Sequence, residues 1–182
     1  DIDEKYTKEI VTKVGNLRIL KRGAFYGPNA SGKSSFSESI DFVRNFIVNS
    51  SPAGKGTGIN QFKGEFQDLD HQSVFEFTFW AKDGEVYDYG ISLDTSQVYE
   101  EWLMVMEKGG DFVPLFERET NEKGKTIIEI TAKLGRKDST NRKLAELLKG
   151  TIQEKQKNQL FLLDIFASVL KKKTEAILWM IG

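Results

Sequence analysis

Cysteine is missing from this sequence altogether, and histidine occurs once, at His71. The first absence excludes disulfides and thiolate metal sites, and it fits a reducing compartment, so the cytoplasm is the expected location. The second leaves no material for a histidine-rich metal centre and argues against a histidine-based catalytic triad. Apolar runs are short: Leu160–Leu163 is cut by Asp164, far below the roughly 20 residues that cross a bilayer as a helix. The opening residues, DIDEKYTKEI, mix both charge signs and hold no apolar core of a signal peptide. They also lack an initiator Met, which leaves a processed form or a fragment open. With 39% hydrophobic and 12% aromatic residues, thirteen of them Phe, the composition is globular rather than disordered.

Net charge is −1, but the average conceals an asymmetry. From Asn60 to Ile130 there are 16 acidic residues against 6 Lys and Arg; from Lys133 to Lys173 there are 4 against 11. Two surfaces of opposite sign are expected.

Three blocks follow from the local patterns. Residues 1–58 hold a strand, a glycine-rich loop and a helix: Ala24–Tyr26 is the expected strand, and Phe36, Ile40, Val43 and Ile47 recur at steps of three and four. That helix is expected to be buried along one broad face and to end near Asn49–Pro52. Residues 59–131 read as an antiparallel β-lobe. Phe75, Phe77 and Phe79 alternate with polar residues, Tyr87, Tyr89, Ile91 and Leu93 alternate back, and three further strands are expected at 98–106, 112–117 and 126–130. One face should be wet. Residues 132–182 return to helical spacing, clearest at Leu160, Leu163, Phe166 and Val169. The fold class is therefore α/β: half of a P-loop core, an antiparallel meander, then helices.

The chemistry is concentrated in Gly27, Pro28, Asn29, Ala30, Ser31, Gly32, Lys33 and Ser34, which match G-x-x-x-x-G-K-[ST] throughout. Each fixed residue has a reason. Gly27 frees the turn out of the strand, and Gly32 allows backbone to approach phosphate oxygens. Amides of the loop and of the first helical turn, through Ser35, face an anion at the positive helix end. Lys33 sets a cation against the β- and γ-phosphates, and the Ser34 hydroxyl is the candidate Mg²⁺ ligand. ATP and Mg²⁺ are the expected cofactors.

The run Phe25-Tyr-Gly-Pro-Asn-Ala-Ser-Gly-Lys-Ser-Ser-Phe resembles the P-loop of ABC-type ATPases of the SMC and DNA-repair kind. It is most similar to bacterial AAA-family ATP-binding proteins linked to phage defence and to the overcoming-lysogenization-defect nucleases. Phe75–Phe79, Val86–Gly90, Glu101–Leu103 and Leu115–Glu119 resemble that group's β-lobe in order, and Asn158–Leu162 and Ile177–Trp179 resemble its following helices. The resemblance covers most of 23–182 and implies an N-terminal part of such a protein. It implies head-to-head dimerisation with ATP between subunits, and a defence or DNA-linked role.

The same resemblance asks for a Walker B strand, an LSGG-like signature and a switch His. No LSGG-like run occurs, and His71 lies too early. The nearest Walker B look-alike ends at Asp164, followed by Ile165 rather than an acid, so Asp164 is read chiefly as a helix-surface residue. A Q-loop glutamine is expected between the helix and the lobe. Gln61 is the candidate over Gln67 and Gln72, with a solvated loop residue as its alternative. The basic stretch 133–173 is a candidate nucleic-acid surface, although a solvated face or a protein interface fits it better. A GTPase would need N-K-x-D, which is absent, and a small kinase would not insert such a lobe. A non-hydrolysing module that uses ATP as structural glue remains the alternative from another class.

Overall fold

A computed structural model describes residues 11–14, 17–20, 23–49, 56–60, 72–81, 84–121 and 123–131. The chain divides into two units, Asp1–Ile40 and Asp41–Gly182.

The first unit begins with a hairpin that the pattern reading did not anticipate. Strands β1 (Val11–Val14) and β2 (Leu17–Leu20) pair antiparallel, with Val14 opposite Leu17. Gly15-Asn16 between two four-residue runs was the available signal, since short Gly- and Asn-containing loops favour hairpins. The expected strand at Ala24–Tyr26 is corrected: residues 23–28 form neither strand nor helix. An apolar run becomes a strand only when a neighbouring strand takes up its amides and carbonyls, and no described strand pairs with it.

Helix α1 spans Lys33–Asn49. Its burial differs between its two halves. Phe36 and Ile40 stay exposed, whereas Val43, Phe46 and Ile47 are buried. The broad apolar face is thus buried only from its third turn onward. Phe42 stacks on Phe46 one turn away, at 5.6 Å between ring centroids, and meets Phe75 at 5.9 Å.

The second unit is built on five strands in sequential order: β3 (Ser73–Trp80), β4 (Val86–Leu93), β5 (Val98–Met106), β6 (Phe112–Thr120) and β7 (Thr126–Ile130). All neighbours are antiparallel. The four turns between them follow the expected turn chemistry, with Gly84, Gly110 and Gly124 at positive φ. Pro114, which has no amide to give a ladder, sits where the β5–β6 register shifts between Leu103 and Met104. Its carbonyl and that of Leu115 are taken up by Thr131 just past β7.

The core lies on one face of this sheet. Tyr89, Leu103 and Phe116 form one cross-strand row, joined by Ile91, Leu93 and Ile128 and by the buried half of α1. Burying each large apolar side chain contributes about 1.5–3 kcal/mol. Within that apolar face stands an ion pair. Glu101 and Arg118 are register partners, 3.4 Å apart, both side chains 0% exposed. Tyr89 donates its hydroxyl to the other Glu101 oxygen at 3.2 Å. Burial, and then the neighbouring carboxylate, push the Tyr89 hydroxyl well above the usual phenol range. Removing one partner of such a pair costs about 3–5 kcal/mol, because the other charge stays buried.

The opposite face is wet along β3, β5 and β7, as alternation predicts, but β4 is buried on both sides. The Trp102 ring lies across Gly90, where a Cβ would come within 1.9 Å of it, and its indole N–H donates to Asp88 at 3.0 Å. Thr78 donates to the other Asp88 oxygen.

Candidate phosphate-binding site

Residues 27–35 are brought together as one loop and one helical turn. Ser31 N–H donates to the Pro28 carbonyl at 3.3 Å, closing a reversal around Asn29 and Ala30. At Gly27 a Cβ would stand 2.7 Å from Ser31 Oγ, so a side chain there would have to displace that hydroxyl. Gly32 has φ 86°, where an L side chain is strained. Ala30 carries that strain itself, at φ 63°. Such single-residue strain costs about 1–3 kcal/mol and gathers at ligand clamps.

The first helical hydrogen bond runs from Phe36 N–H to the Gly32 carbonyl, at 2.9 Å. Amides ahead of Phe36, those of Lys33, Ser34 and Ser35, therefore have no acceptor within the helix. Together with the helix dipole they present partial positive charge. The first turn contains no acidic residue to repel an anion. Ser34 and Ser35 are exposed there.

Lys33 binds back onto its own loop. Its ammonium donates to the carbonyls of Gly27 and Pro28, at 2.8 and 2.6 Å, and to Ser31 Oγ at 3.1 Å. An ammonium has three N–H bonds, and three acceptors meet them. The cation thus stands inside the curve of the loop, the place from which it can exchange a carbonyl for a phosphate oxygen. Ahead of the loop, Phe25 packs on Phe36 at 4.7 Å between centroids, and Tyr26 is 93% exposed. The left-handed Ala30 and the Lys33 acceptors could not be read from the motif, which fixes residue types but not backbone angles.

The remaining candidates are not gathered here. Gln61, Gln67, His71 and Asp164 lie outside the described residues, as do the expected helices of 132–182. Gln72 accepts a hydrogen bond from Ser92 of β4 at 2.6 Å, which gives it a structural duty. Among the described residues no helix is long and apolar enough to cross a membrane.

Residues 24–164 match the family described as "AAA domain, putative AbiEii toxin, Type IV TA system". No curated protein and no solved structure gave a match. The matched span begins just before the loop, runs through the whole β-lobe and takes in well over half of the sequence. The chain belongs to this family of AAA domains, within the P-loop NTPases, which suggests a nucleotide-binding, ATPase-like function.

Proposed function

We propose that this chain binds ATP with Mg²⁺ as part of an ABC-type, SMC-like ATPase acting in phage defence or a DNA-linked process. The observation that carries the reading is the loop: a lysine ammonium held within a curve of backbone, ahead of three helix-start amides. A triphosphate fits that donor set, because a cation and convergent amides meet an anion and no carboxylate of the first turn opposes it. Gly27 to Ser35 would hold the phosphates. The Ser34 hydroxyl would take one position on Mg²⁺, whose chemistry is to neutralise charge on the β- and γ-oxygens. Lys33 would pass from its carbonyls to those oxygens and fix their orientation.

The ABC-type and SMC-like character is supported by the run Phe25–Phe36 and by a sequential β-lobe following the helix. The defence role is supported by the same resemblance and by the description of the family as a "putative AbiEii toxin, Type IV TA system". A head-to-head dimer with nucleotide between subunits is part of this reading.

The test is calorimetry with ATP and Mg²⁺ on the chain and on Lys33→Ala. Loss of one charge-assisted contact should weaken binding at least tenfold, about 1.4 kcal/mol or more. Equal affinities would remove the assignment.

A further inference from the structure

The phosphate loop has donors for an anion and no surface for a base. Gly27 to Ser35 offer backbone amides, hydroxyls and the Lys33 ammonium, all of which suit phosphate oxygens. No aromatic ring stands among these residues. Asn29 is their one carboxamide, a group that can read the edge of a base but not its face. A nucleotide gripped by its β- and γ-phosphates leaves ribose and base outside such a loop. Left in water, the base would add nothing to affinity.

The residue just ahead of the loop carries the missing ring. Tyr26 is joined to Gly27, whose carbonyl receives the Lys33 ammonium at 2.8 Å. Consecutive Cα atoms stand about 3.8 Å apart, so Tyr26 borders the phosphate-binding curve directly. Its neighbour Phe25 is already committed, packed on Phe36 at 4.7 Å between ring centroids. Tyr26 is not. Its side chain is exposed, and among the described residues no ring stacks on it and no hydrogen bond holds its hydroxyl. A single exposed apolar residue is ordinary on a protein surface, so exposure alone says little. Position is what sets Tyr26 apart, since an aromatic side chain packs about 150–250 Å² and this one keeps that area open beside the loop. No carboxylate of the segment repels a phosphate chain lying across it, because Gly23 to Ser37 contain no acidic residue.

We propose that Tyr26 is the base platform of the nucleotide site, stacking the purine of a nucleoside triphosphate whose phosphates lie in the Gly27–Ser35 loop. This rests on the ATP reading above and adds the group that tells a nucleotide from a bare polyphosphate. A ring face is indifferent to the donor and acceptor pattern on a base edge. The site therefore takes ATP and GTP alike.

The experiment is calorimetry of the full chain with MgATP, MgGTP and magnesium tripolyphosphate, on wild type, Tyr26→Ala, Tyr26→Phe and Tyr26→Leu. ATP and GTP should bind wild type within about threefold of each other. Tyr26→Ala should lower the ratio of ATP to tripolyphosphate affinity by about fivefold or more, with tripolyphosphate binding unchanged. Tyr26→Phe should keep the ratio. Tyr26→Leu retains apolar bulk without a π-face and should lose it. Lys33→Ala, by contrast, should weaken both ligands. A wild type that binds neither ATP nor tripolyphosphate would remove the ATP reading and this proposal with it. Three results would overturn the platform while the ATP reading stands. One is an unchanged ratio in Tyr26→Ala. Another is a ratio kept by Tyr26→Leu, which would make Tyr26 a packing residue. The third is a preference of about tenfold or more between ATP and GTP, which would assign base recognition to an edge-reading group such as Asn29.

Discussion

Asp94 shows how much one carboxylate does in this molecule. One of its oxygens accepts from Ser96 N–H, Ser96 Oγ and Gln97 N–H at 2.6 to 2.8 Å, and the other accepts from Tyr99 at 2.8 Å. Partial burial alone would raise its pKa, but these four donors outweigh burial and hold it below the usual carboxylate range. The Tyr99 hydroxyl is raised in turn, first by its bond to Asp94. Because the folded pKa is the lower one, this contribution is fully present above the unfolded value of about 3.9 and is lost as pH falls through the folded value. Asp94→Ala should cost about 1–2 kcal/mol near neutrality, at the lower end for charged hydrogen bonds because the turn is partly exposed. Denaturant midpoints of wild type and variant should converge below about pH 4. A gap that persists into acid would show that the turn is held by something other than this charge. The P-loop lysine is the other case of one group meeting several acceptors, and it is the residue on which nucleotide affinity should turn.

At the scale of elements, β4 departs most from its pattern. Asp88, Gly90 and Ser92 alternate with apolar residues, which reads as a solvated face, yet they are buried. At Gly90 the cause is a side chain twelve residues later: Trp102 folds over it and donates to Asp88, and no local pattern could disclose that. Gly90→Ala should therefore expel the indole and break its bond to Asp88. The expected cost is about 1–3 kcal/mol, with a red shift of tryptophan emission as the ring enters water. Unchanged emission and unchanged stability would contradict the packing. Strands β3, β5, β6 and β7 and helix α1 were legible because their signals are local: alternation between turn residues, or steps of three and four. Ala24–Tyr26 misled for the complementary reason, since an apolar run does not name its partner. Nothing local marks Glu101 and Arg118 as buried; only strand register sets them opposite each other in the core. The Gly27–Ser34 motif was legible because its parts are contiguous, whereas the left-handed Ala30 and the acceptors of Lys33 were not. Gln61 was a weaker inference because its role would depend on approach from a distant loop.

For the whole molecule, the sequence holds no run of four apolar residues followed by an acid pair and no LSGG-like segment. A phosphate cradle without these stabilises bound ATP about as well as the transition state, which leaves turnover low. Phosphate release by this chain should stay well under the roughly 1 s⁻¹ at the lower end for phosphoryl-transfer kinases. Faster release, abolished in Lys33→Ala, would point to an acid overlooked in the sequence, with Asp164 the first to replace. No release at all, with ATP still bound, would favour the structural use of nucleotide. The strand order of the lobe has a consequence in time. Every strand pairs with the one made just before it. Synthesis adds about 5–20 residues each second, so a strand and its turn take on the order of a second to emerge. A hairpin closes in about 1–10 μs. Each strand of the lobe thus meets a finished neighbour long before the next one exists, and assembly can proceed in the order of translation without waiting for a distant partner.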